Sequence, residues 1–125
     1  MGRVRAHIDV KGQKFWTLFD TGARNTYIVP RVAALLATSV MARPFRPALG
    51  GKVREVTQAA VLDAEIEACK ISTHAMVLDE IGKDEEGKPI EIRFGALAMQ
   101  QWGIRPVPDQ EKLDSSHYSE EFQEF

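Results

Sequence analysis

Val4, Ala6, Ile8 and Val10 alternate with Arg5, His7 and Asp9. A period of two places the apolar set on one face of a strand. Lys11-Gly12-Gln13 carries turn chemistry, and Phe15-Trp16-Thr17-Leu18-Phe19 reads as a second strand. Together they predict a hairpin that delivers Asp20 at its end. Thr26-Tyr27-Ile28-Val29 predicts a further short strand. Pro30 suits the first turn of a short helix over residues 31–37, a stretch rich in Ala and Leu.

Pro44 and Pro47 bracket an extended edge segment. Gly50-Gly51 is a tight-turn signal between two extended arms. Ala60, Leu62, Ala64, Ile66 and Ala68 alternate with polar neighbours, and Ile71, Thr73, Ala75 and Val77 mark the partner strand. Residues 82–87 form a charged loop, residues 90–94 a strand, and residues 95–102 a short helix that Gly103 ends. The pattern is that of an all-β chain with one or two short helices.

The chain has 125 residues, 44% of them hydrophobic and 27% charged, which is enough for one domain with its own core. A net charge of -2 carries no nucleic-acid signature. Cys69 is the one cysteine, so an intrachain disulfide and a Cys-rich zinc site are excluded. His7, His74 and His117 have no metal-ligand spacing, and no cofactor motif occurs. The first residues lack the apolar core of a signal peptide, and no run approaches the ~20 apolar residues of a membrane span. A cytoplasmic protein without nucleic-acid or membrane partners is expected.

Composition shifts at Pro106-Val107-Pro108. From residue 109 onward there are six acids and one lysine, about -5, which leaves about +3 on the rest of the net -2. This gives an expected division into a domain over residues 1–105 and an acidic tail over residues 106–125. The tail is read as mobile, with Tyr118, Phe122 and Phe125 able to dock it, and its removal is expected to be tolerated.

The chemistry sits in Leu18-Phe19-Asp20-Thr21-Gly22-Ala23. An acid at the tip of an apolar strand is costly unless hydrogen-bonded or protonated. The Thr21 hydroxyl can donate and accept, and Gly22 lets backbone amides approach the carboxylate. Two such carboxylates about 3 Å apart cannot both ionise and share a proton. One can then take a proton from water while the other gives one to a carbonyl oxygen.

On these residues the chain resembles the retropepsin-like aspartic proteases, the family of the retroviral proteases and their cellular relatives. Three motifs match in order: Leu18 to Ala23; the glycine-rich flap Leu49-Gly50-Gly51-Lys52; and Ile92-Arg93-Phe94-Gly95-Ala96-Leu97-Ala98-Met99, closing at Trp102-Gly103-Ile104. The resemblance spans about residues 4 to 105. It implies a closed, mostly antiparallel β barrel and aspartic endopeptidase activity without metal or cofactor. Asp20 is then the catalytic acid, supported by Thr21, Gly22, Ala23 and Gly95, with Leu49, Gly50 and Gly51 as substrate-binding flap. The implied partners are a second copy of the chain and an extended peptide. No second Asp-Thr-Gly or Asp-Ser-Gly and no internal repeat occurs, so the second carboxylate must come from another copy.

The chain departs from the retroviral pattern at three places. An acid after the first motif and an arginine after the late glycine are replaced by Arg24, Asn25 and Ala96, which implies a different brace. The first hairpin begins almost at once, so the N-terminal dimer strand of the retroviral members is not expected. Pro106 and Pro108 interrupt the C-terminal one. The alternative function is a non-catalytic peptide-binding or dimerisation module of the same fold.

Overall fold

A computed structural model of the chain describes residues 2–49 and 51–119. The first hairpin joins β1 (Arg3–Val10) to β2 (Gln13–Asp20), in register from Arg3 opposite Asp20 to Val10 opposite Gln13. Lys11 and Gly12 turn it with positive φ, and the Gly12 amide donates to Asp9 Oδ1 at 2.9 Å. Next come β3 (Tyr27–Ile28), α1 (Pro30–Ala33), β4 (Thr38–Phe45), β5 (Ala48–Leu49) and β6 (Lys52–Val53). The long hairpin of β7 (Val56–Ile66) and β8 (Cys69–Val77) follows. The chain continues through β9 (Gly82–Lys83), β10 (Pro89–Ile90), β11 (Ile92–Phe94), α2 (Ala96–Trp102), β12 (Arg105–Val107) and β13 (Lys112–Asp114).

Six strands close on themselves in the order β1-β2-β11-β3-β8-β7, with Asp9 opposite Glu65 completing the ring. Closure leaves these strands no free edge. β2–β11 and β3–β8 are parallel pairs, and the rest of the ring is antiparallel. β4 branches off β7 outside the ring. The interior is filled by Val4, Ile8, Phe15, Phe19, Leu62 and Phe94 with their neighbours, and α2 adds Ala98, Met99 and Trp102. No helix of the described residues is long and apolar enough to cross a membrane.

Four local features differ from the sequence expectation. The first helix ends at Ala33, because Leu35 and Leu36 make only i→i−3 turn bonds before the strand formers Thr38 to Val40 take over. The charged loop is a short hairpin, in which Asp84 Oδ1 accepts the amides of Glu86 and Lys88 while Oδ2 accepts Trp16 Nε1. The strand over residues 90–94 breaks at Glu91, whose amide donates to the Trp16 carbonyl and whose own carbonyl accepts Val29.

The fourth difference lies beyond residue 105. β13 pairs with β12, and Leu113 is buried in the core. Tyr118 donates to the Lys70 carbonyl at 2.6 Å and stacks on Trp102. This stretch is therefore packed down rather than mobile: Leu113 and Tyr118 find apolar cover while their acidic neighbours face out. Pro106 is tolerated because only alternate residues of an edge pair must donate to the partner. Phe122 and Phe125 lie outside the described residues.

Candidate active site

Asp20 ends β2, a central strand bonded to β1 on one side and β11 on the other. Its side chain is 1% exposed. Such a carboxylate persists in charged form only if it is paired. Three groups meet that need. The Gly22 amide donates to Oδ1 at 2.8 Å. Arg93 Nη2 donates to Oδ2 at 2.6 Å, and Arg3 Nε lies 3.5 Å from the same oxygen. Burial pushes the Asp20 carboxyl up, but the bonds from Arg93 and Gly22 and the charges of Arg93 and Arg3 together hold it below the usual carboxylate range.

The other sequence-predicted residues fall around this centre with distinct tasks. Gly22 meets the carboxylate through its amide. The Thr21 hydroxyl does not turn toward Asp20; it accepts the Gly2 amide at 3.1 Å, while the Thr21 amide donates to the Gly2 carbonyl. Ala23 is buried, its amide donates to the Asp20 carbonyl, and its own carbonyl accepts the Ala96 amide at 2.7 Å. Gly95 stands where β11 gives way to α2. Its amide donates to Thr26 Oγ1 at 3.1 Å, and a Cβ there would lie 2.2 Å from the Asn25 carbonyl oxygen. Any side chain at residue 95 would have to displace the loop behind Asp20. The Leu97 amide reaches the Arg24 carbonyl, so the start of α2 and the loop over residues 21–26 are pinned together through the backbone. That is the brace in this chain, made without an acid–arginine pair at residues 24, 25 and 96.

The β5–β6 hairpin forms a two-stranded sheet of its own. Leu49 stands opposite Lys52, and Gly51 turns with φ +79° and nothing within 4 Å of a would-be Cβ. Gly50 lies outside the described residues. Lys52 and Val53 are exposed, so the hairpin tip is presented to solvent.

Sequence reasoning missed Arg93 and Arg3. The available signal was Arg93 itself, a lone charge between Ile92 and Phe94 on a strand whose two flanking side chains are fully buried. Its partner lies 73 residues away and is reached only through the parallel β2–β11 pairing, which sets Arg93 opposite Leu18 and Phe94 opposite Phe19.

A family model for the Ty3 transposon peptidases matches residues 2–123. Among solved structures, the retroviral protease-like domain of Ddi1 from Leishmania major is similar with a TM-score of 0.62 and 14% identity, over 91% of this chain and 88% of that one. EIAV protease complexed with the inhibitor HBY-793 is similar with a TM-score of 0.55 and 18% identity, over 84% of this chain and 92% of the other. No curated protein sequence matches significantly. At these identities the structural likeness establishes the fold, and the chemistry rests on the residues.

Proposed function

The chain belongs to the Ty3 transposon peptidase family and has the retropepsin-like fold, and from that premise we propose that it is an aspartic endopeptidase working as a homodimer. The observation that carries this reading is Asp20: a carboxylate on a central barrel strand, held by the Gly22 amide inside an Asp-Thr-Gly-Ala sequence. Each chain supplies one such aspartate, so a dyad needs two chains. In the dyad, one carboxylate takes a proton from water as the water oxygen bonds to the scissile carbonyl carbon. The other gives its proton to the carbonyl oxygen. Collapse of the tetrahedral intermediate breaks the C–N bond; the amine nitrogen leaves with the proton that the first carboxylate took from water, and a hydroxyl proton of the intermediate returns to the dyad as the carboxyl product forms. Thr21, Gly22, Ala23 and Gly95 support the loop that carries Asp20. Leu49, Gly50 and Gly51 form the flap, whose amides meet an extended peptide by strand-like bonds.

One observation favours a second reading, a peptide-binding module without turnover. In the single chain both Asp20 oxygens are engaged and the side chain is closed to solvent. Digestion by wild type beside Asp20→Asn separates the two, since a module without turnover makes no cut in either. The variant should fold as the wild type does and lose every cut that the wild type makes in a mixed peptide library. Cuts that persist in pure variant protein would remove Asp20 from the chemistry.

A further inference from the structure

Arg93 occupies the position that the proposed chemistry most needs clear. Its Nη2 holds Asp20 Oδ2, the Gly22 amide holds Oδ1, and no face of the carboxylate is left open to water. Water activation requires that this guanidinium give up Oδ2. The residue also has capacity to spare. Arg93 Nε is buried and has no hydrogen-bond partner among the described residues. A buried donor left unmade costs about 1–3 kcal/mol, so its retention calls for an explanation.

The surroundings indicate what would satisfy it. Arg93 lies between Leu18 of β2 and Tyr27 of β3 in the cross-strand register, and Tyr27 stands next to Met76 of β8. Leu18 is apolar. Tyr27 is buried, with burial pushing its hydroxyl up while the Asn25 side chain and the Arg93 charge pull it back. That row itself offers no anion, and the guanidinium reaches past it to Asp20, two residues beyond Leu18 on β2. A guanidinium with a free donor, fixed beside the reactive carboxylate, is matched by a second carboxylate, which its planar fork binds well.

We propose that Arg93 selects substrates carrying an aspartate or glutamate side chain beside the scissile bond, the substrate carboxylate drawing the guanidinium off Asp20. The proposal rests on the endopeptidase reading above. The exchange accounts for both observations: once drawn off Asp20, the guanidinium presents its unpartnered donor to the substrate carboxylate, and the pairing with Asp20 keeps the reactive group closed until a fitting peptide arrives. An incoming anion next to Asp20 also disfavours its charged form, which promotes the shared proton that the dyad uses.

The test is digestion of a mixed decapeptide library by wild type, Asp20→Asn, Arg93→Gln and Arg93→Lys, with cut sites mapped by mass spectrometry. Wild type should show Asp or Glu enriched at least fivefold at one position within two residues of the Asp20-dependent cuts. Whatever their overall rates, Arg93→Gln should lose that enrichment among its remaining Asp20-dependent cuts, and Arg93→Lys should retain part of it. For one peptide pair differing only as Glu and Gln at that position, kcat/KM should differ at least tenfold in wild type and less than threefold in Arg93→Gln. Asp20-dependent cuts without acidic enrichment, or enrichment unchanged in Arg93→Gln, overturn this inference alone. Folded Arg93→Gln and Arg93→Lys that cut nothing would make Arg93 a support of Asp20 rather than a selector, and overturn it too. If wild type makes no Asp20-dependent cut, the endopeptidase reading falls and takes this one with it.

Discussion

At the scale of single residues, the Asp20–Arg93 pair sets the energetics of the site. Asp20 has its pKa held below the ordinary value, so it adds stability above the unfolded carboxylate range, near pH 4. That stability is lost as pH falls through the depressed value. Arg93→Leu removes the bond and the charge that do most to lower the Asp20 pKa, and a buried carboxylate remains with only the Gly22 amide and the more distant Arg3. Urea unfolding should then show a loss of about 3 kcal/mol at pH 7. The loss should shrink below pH 4, as the variant's Asp20 is protonated and no longer needs a counter-charge. An equal loss at pH 7 and pH 3 would mean that Arg93 acts through packing and not through its charge. The residue scale is also where the sequence was least readable. Asp20 and Gly22 stand two residues apart in the chain, so their hydrogen bond is local and lies within reach of motif chemistry. Arg93 meets Asp20 only after β11 docks in parallel beside β2, a non-local pairing with no local signature. The Thr21 hydroxyl has one chemistry but two candidate neighbours, and only the approach of Gly2 settles which one it meets.

At the scale of elements, hydrophobic alternation predicted β1, β2, β7 and β8 well, because each is long and buried on one face. It did less well where strands shrink to two or three residues. Over residues 89–94 the apolar positions Ile90, Ile92 and Phe94 run as one alternating strand, yet Glu91 bonds sideways to Trp16 and Arg31 and splits it. The β5–β6 hairpin was readable from its glycines, since a two-residue turn demands positive φ that Gly51 supplies. Its proposed role as a flap makes a prediction for Gly51→Val. Nothing stands within 4 Å of the added Cβ, so no clash arises. The cost is backbone strain at a tip exposed to solvent, about 1–2 kcal/mol at most. Thermal unfolding should therefore move by only a few degrees. Turnover should fall tenfold or more, about 1.4 kcal/mol of barrier, because a stiffened β-branched tip resists opening and closing over a peptide. Near-normal turnover in a folded variant would mean that this hairpin is a plain connection.

At the scale of the whole molecule, the question is how far the folded unit extends. The acid-rich composition beyond residue 108 resembles that of a disordered segment, and composition alone predicts that the segment can be removed. Two apolar side chains decide otherwise. Leu113 is 8% exposed and belongs to the core cluster that contains Val4 and Ile104. Tyr118 covers Trp102 and bonds to the Lys70 carbonyl, tying the end of the described chain to the β7–β8 hairpin. Gly103 closes α2 in the left-handed conformation, and a Cβ on it would come within 2.2 Å of the His117 carbonyl oxygen, so this backbone passes directly over the helix end. Deleting residues 109–125 strips that cover. The loss of one buried leucine, one half-buried tyrosine and one hydrogen bond amounts to about 4 kcal/mol. For a domain of 125 residues this corresponds to a fall in Tm of about 12–20 °C. Leu113→Ala alone should account for about half of it, since a buried leucine truncated to alanine costs about 2–5 kcal/mol. Calorimetry of the truncated chain against full-length protein makes the comparison. A truncated chain that melts within a few degrees of full length would show that β13 and Tyr118 rest on the barrel without stabilising it, and would return the stretch after Pro108 to the status of an appendage.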